Sequence, residues 1–104
     1  MANVYPKTPE RRIAPRVSFT GHLRIRKPRI IHATGSDLAA TGITIVVQQP
    51  LPEGSPVELE LFGGTTHVDG TVHKVSQALR GYRMGVEFRE QHPEIVAKAM
   101  STRF

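Results

Sequence analysis

The chain contains no cysteine. That absence excludes disulfides, thiolate zinc sites, iron–sulfur clusters and cysteine nucleophiles. No apolar run approaches the ~18–20 residues of a membrane span. Residues 1–12 lack the apolar core of a secretory signal. A soluble cytoplasmic protein is the expectation. Signatures of common enzymes are missing too. There is no G-x-S-x-G elbow, no phosphate-binding loop of glycine and lysine, and no dinucleotide fingerprint. His32, Ser36 and Asp37 are close in sequence, but a triad is built in space and strand neighbours mostly point apart. The five histidines, His22, His32, His67, His73 and His92, have no helical ligand spacing and no cysteines to join. They read as surface or interface residues. No catalysis, no metal and no cofactor are expected.

Acidic residues are almost missing from the first third. Residues 1–30 carry eight arginines and lysines against Glu10 alone, whereas residues 31–104 carry six against eight carboxylates. All the excess positive charge therefore sits near the start. A block of this kind favours an anionic partner, although a solvated basic tail has the same composition. The length of 104 residues fits one domain, and that domain is large enough to bury a core without staples.

Pro6, Pro9 and Pro15 and a lack of periodicity mark residues 1–15 as a flexible, partly polyproline-like arm, with the domain boundary drawn between an arm over 1–10 and a domain over 11–104. From Val17 the pattern alternates. Val17, Phe19, Leu23 and Ile25 share one face of a half-buried strand that Lys27-Pro28 ends. A second strand runs from about Arg29 to Thr34, with an extension toward Leu38. Ile43 to Val47 is a β-branched run suited to a buried strand. Residues 49–56 form a proline-rich loop. Val57, Leu59 and Leu61 define a fourth strand, and Gly63-Gly64 is a two-residue hairpin signal. The fifth strand, Thr66 to Gln77, changes phase between Val72 and Val75, which places a bulge near His73 and Lys74. Tyr82, Met84, Val86 and Phe88 form the sixth. Pro93 opens a helix to about Arg103, whose apolar stripe is Ile95, Val96, Ala99, Met100 and Phe104. Six short strands without intervening helices make an antiparallel, all-β fold with a C-terminal helix. Periodicity alone leaves sandwich and small barrel both open.

Two elements carry candidate chemistry. Arg12 and Arg16 are four residues apart, Arg11 adjoins them, and Pro15 keeps the segment out of a helix. Guanidinium groups on such a loop can close over an anion, because each grips phosphate with a planar fork and stacks on a base. The second element, Asp37-Leu38-Ala39-Ala40-Thr41-Gly42, falls between the second and third strands. A carboxylate there can accept from a guanine edge. A glycine there permits close backbone approach or a left-handed turn. A plain turn with Asp37 bonding its own backbone is the alternative.

Together the two elements resemble the PilZ domain family, a bacterial receptor module for cyclic di-GMP, whose pattern is R-x-x-x-R followed about twenty residues later by [DN]-x-S-x-x-G. Tyr82-Arg83-Met84-Gly85-Val86-Glu87-Phe88 resembles the family's last strand, and residues 51–57 resemble its loop into the fourth strand. The resemblance covers about residues 10–104. It implies a six-stranded antiparallel β-barrel with a C-terminal helix. It implies that Arg12 and Arg16 hold phosphates and stack on guanine, that Asp37 reads a guanine edge, and that Gly42 keeps the floor open. An arginine at the place of Arg11 tends to accompany an intercalated ligand dimer. Ala39 replaces the family's serine, which removes one hydroxyl, worth ~0.5–1.5 kcal/mol as a hydrogen bond. With Leu38 inward, Asp37 and Ala39 share the ligand-facing side, and Ala39 is expected near solvent.

The leading expectation is a cyclic di-GMP receptor that signals to a downstream protein in motility, pilus or exopolysaccharide machinery. The alternative is a degenerate PilZ domain that acts as an adaptor without nucleotide. A single-stranded nucleic acid binder would need aromatic platforms, and only Tyr5 and Phe19 lie near the basic third. Nucleic acid is therefore not an expected partner.

Overall fold

A computed structural model describes residues 16–101. The arm, Arg11, Arg12 and the expected helix end at Arg103 and Phe104 lie outside the described residues. Among the described residues there are seven strands: β1 (Val17–Ser18), β2 (His22–Lys27), β3 (Ile31–Ala39), β4 (Gly42–Val47), β5 (Pro56–Leu61), β6 (Thr66–Gln77) and β7 (Tyr82–Phe88). One helix, α1 (Pro93–Ser101), follows. Neighbouring strands pair antiparallel in the order β1-β3-β2-β5-β6-β7-β4, and β3 also pairs with β4. That last pairing closes β2 to β7 into a six-stranded barrel and removes its free edges. The barrel alternative is thereby chosen over the sandwich.

The expected first strand is split. β1 and β2 lie along the same edge of β3, Val17 opposite Leu38 and His22 opposite Thr34. Between them Phe19 donates its N–H to Ser36 O, and Gly35 donates to Gly21 O. Phe19 lies so close to β3 that a Cβ on Gly35 would come within 2.3 Å of Phe19 O and 2.5 Å of its ring. β3 is also longer than expected, because its inward residues Ala33 and Gly35 are small and give a weak apolar signal.

Alternating inward side chains build the core. Ile25, Leu38, Ile45, Leu59, Leu61 and Met84 are fully buried, and each large apolar side chain so buried contributes about 1.5–3 kcal/mol. The β6 bulge falls where the phase change places it. Val72 pairs with Val86 but Lys74 pairs with Gly85, leaving His73 as the extra residue. The β5–β6 hairpin differs from the two-residue expectation. Leu61 pairs with Thr66 across a four-residue loop in which Phe62, Gly63 and Gly64 all have positive φ. Phe62 packs edge-on against Phe19, with Lys98 Nζ 4.7 Å above its ring.

The helix covers the barrel end that holds the β3–β4 and β5–β6 turns. His92 donates its N–H to Ala40 O at 2.8 Å, and Lys98 Nζ donates to Thr65 Oγ1 at 3.0 Å. Ile95, Val96 and Ala99 are buried, but Met100 is exposed. At 100° per residue, Met100 sits on the flank of the stripe those three define. The opposite end holds the β2–β3, β4–β5 and β6–β7 connections, with Leu51 buried beneath them and its N–H donated to Met84 Sδ.

Two glycines on adjacent strands make opposite predictions. A Cβ at Gly70 would lie 2.6 Å from Glu87 O and 2.8 Å from Val86 Cγ1, whereas a Cβ at Gly85 would meet nothing within 4 Å. Gly70→Ala should lose about 1–3 kcal/mol, and Gly85→Ala should stay within about 0.5 kcal/mol of the parent. Urea midpoints at unchanged m-value are the measurement.

Candidate functional site

Strand pairing brings Arg16 to Asp37. Ser18 lies opposite Asp37 across β1 and β3, so Arg16, two residues earlier, reaches the same carboxylate. Its Nε and Nη2 both donate to Asp37 Oδ1, at 3.1 and 2.7 Å. Asp37 faces outward because of a second bulge. Gly35 pairs with Ile45 and Asp37 with Thr44, so Ser36 is the extra residue. Without it, Asp37 would follow Ala33 and Gly35 into the barrel. The side chains of Arg16 and Asp37 are 53% and 38% exposed. A pair this wet is worth only about 0–1 kcal/mol to the fold. Its main effect is to hold a guanidinium at a chosen place, with three of its five N–H groups left over.

A groove of about 200 Å³ lies beside this pair. Arg16, Thr41, Gly42, Thr44, His73 and Glu87 are among its lining residues, and Gly85 is part of it. Arg16 and Gly42 thus share one groove, as the motif implies. Gly42 acts differently from the expectation of an open floor. It is buried, its φ is not left-handed, and a Cβ there would strike Val86 O at 2.5 Å. Gly42 permits the close approach of β4 to β7, and Gly85 is the glycine with open space above it. Ala39 also departs from expectation. It shares the Asp37 side of β3 but is completely buried, and it stands outside the contiguous apolar core. A serine hydroxyl at this position would be enclosed, not solvated. Thr44, His73 and Glu87 were not singled out as site residues by the sequence. The His73 bulge was legible, but its nearness to Thr44 and Glu87 depends on cross-strand register.

A larger groove, about 310 Å³, lies on another face, lined by His22, Arg24, His32, Glu60, Gly63 and Gly64. Register aligns His32, Arg24, Glu60 and His67 in one row across four strands. Arg24 Nε donates to Glu60 Oε1, and His67 Nε2 is 3.3 Å from Glu60 Oε2. The Glu60 side chain is only 11% exposed. Each groove holds an arginine paired with a carboxylate; the Arg16 groove is the one that also contains the motif glycine Gly42. No three-residue cluster of potential metal ligands occurs among the described residues.

The Arg24 hydrogen bond, above all, holds the Glu60 carboxyl below its ordinary range, with His67 adding and burial opposing. A depressed carboxylate stabilises the fold above the usual glutamate range and loses that contribution as pH falls through the folded value. Glu60→Gln should therefore lower the urea midpoint at neutral pH. The gap to the parent should narrow below the ordinary glutamate value of ~4.3.

Among the described residues no helix is long and apolar enough to cross a membrane. No curated protein matches the chain in sequence. Among solved structures, the PilZ domain of YcgR from Escherichia coli, with c-di-GMP, is similar at a TM-score of 0.59 and 17% identity. The likeness covers 86% of each chain and concerns the fold. The family model of the PilZ domain matches residues 10–100, a span that takes in both the arginine segment and the strand that carries Asp37, and the chain belongs to that family.

Proposed function

We propose that this protein is a cyclic di-GMP receptor without catalysis, which passes the signal to a downstream protein. The observation that supports this most is the Arg16–Asp37 pair standing half-exposed beside a groove. The ligand presents two phosphates and two guanine planes. Arg16 offers forked donors to the first and a stacking plane to the second. Arg11 and Arg12 complete the clamp from the preceding segment. The similar YcgR domain, solved with c-di-GMP, supports the same ligand class.

On this reading Asp37 has two tasks. A guanine edge takes two acceptor oxygens, and Asp37 Oδ1 already accepts from Arg16 twice. In this reading Asp37 first orients Arg16 and reads guanine with what remains. Gly42 keeps β4 against β7 so that the groove retains its shape. Ala39 supplies no hydroxyl and is enclosed, which favours the second reading, a nucleotide-free adaptor. The retained arginine pair favours the receptor.

Calorimetry with cyclic di-GMP, with GTP and single-stranded DNA as controls, separates the two readings. The parent should bind cyclic di-GMP selectively. Arg16→Ala should nearly eliminate binding, since each charge-assisted contact of ~1.5–3 kcal/mol corresponds to roughly 10- to 150-fold. Arg16→Lys should bind much more weakly than the parent, because lysine keeps the charge but lacks the fork and the plane. Asp37→Asn should weaken binding while changing the unfolding free energy by less than about 1 kcal/mol. No binding by the parent would transfer the assignment to the adaptor, and parent-like affinity in Arg16→Lys would remove Arg16 from the site.

A further inference from the structure

The barrel end opposite the helix carries a feature that nucleotide binding does not use. Leu79, at the β6–β7 turn, is 98% exposed, and Ile30, at the β2–β3 turn, is 58% exposed. Antiparallel pairing places both turns at the same end, because Val47, at the end of β4, lies opposite Ala33 near the start of β3 and Tyr82 at the start of β7. Exposed cations flank both tips: Arg26, Lys27 and Arg29 beside Ile30, Arg80 and Arg83 beside Leu79. The nearest carboxylates are Glu58, which faces Lys27 and lies opposite Asp69, Glu60, which Arg26 approaches, and Glu53, which accepts the Val75 N–H at 3.1 Å. None stands at a tip.

We infer that this end of the barrel docks on an anionic lipid surface, with Leu79 and Ile30 entering the interfacial layer and the surrounding arginines and lysines pairing with headgroups. Two properties favour lipid over a protein partner. The two apolar side chains sit singly on turns of different strand pairs, β2–β3 and β6–β7, so each can enter a lipid layer on its own. A lipid interface accepts separate insertions and rewards a cationic rim, each cation adding about fivefold to binding. The Arg16 groove lies toward the opposite end, so the inference stands apart from the nucleotide reading.

The chain has no tryptophan, so Leu79→Trp places a single reporter at the tip. Its emission should shift to the blue with vesicles of phosphatidylcholine and phosphatidylglycerol, and not with phosphatidylcholine alone. In co-sedimentation of the full chain, Ile30→Ser with Leu79→Ser should lower binding by about threefold per side chain or more, at unchanged net charge. Arg80→Gln should lower it by about fivefold. Both apolar side chains are exposed, so the thermal unfolding of the double variant should match the parent. Loss of binding in the apolar double variant together with the blue shift would establish the docking. Parent-like sedimentation of that variant would reduce the effect to charge attraction and overturn the inference. So would an unshifted emission from the Leu79→Trp variant, or a parent that ignores phosphatidylglycerol vesicles.

Discussion

Closure of the barrel on β3 is the constraint from which the rest follows. β3 gives one edge to β2 and β1 in succession and the other to β4. A strand paired on both sides cannot slip without turning its inward residues outward. The bulge at Ser36 makes that rigidity useful. It lets one strand send Ala33 and Gly35 into the barrel and then turn Asp37 outward, where Arg16 meets it. The position of the guanidinium is therefore set by backbone pairing rather than by the strength of an ion pair that is itself nearly neutral to stability.

Glycine enforces the same closure at close range. Gly35 admits the Phe19 backbone and ring, while Gly42 and Gly70 admit the carbonyls of Val86 and Glu87. None of these three needs a left-handed backbone. They are places where two strands, or a strand and a ring, come nearer than any Cβ allows. A motif glycine can thus serve a binding groove by holding its walls together, even when it leaves no space for a ligand itself.

Most of the fold was legible because it follows period-two alternation: Val57, Leu59 and Leu61, and Tyr82 to Phe88, state their inward faces plainly. The β6 bulge was legible as a phase error between Val72 and Val75. Ser36 left no such trace, since Gly35 and Ser36 are too small to mark a face, and the break at Phe19 to Gly21 was hidden because Val17, Phe19, Leu23 and Ile25 keep one phase across it. At the site, Arg16 and Asp37 were legible through spacing and family resemblance. The burial of Ala39, the contact that explains Gly42, and the convergence of Thr44, His73 and Glu87 depend on register and packing across strands, which alternation along one strand does not encode.

The described chain enters the barrel at Arg16 and leaves it at Ser101, and both points lie toward one pole. Arg16 meets Asp37 near the far end of β3, and α1 spans from Ala40 to Thr65 over that same end. The entry at Arg16 flanks the groove, whereas the helix that ends the described chain crosses the same pole to the β5–β6 turn. The other pole, with its turns at 28–30 and 78–81, faces away from both ends of the described chain.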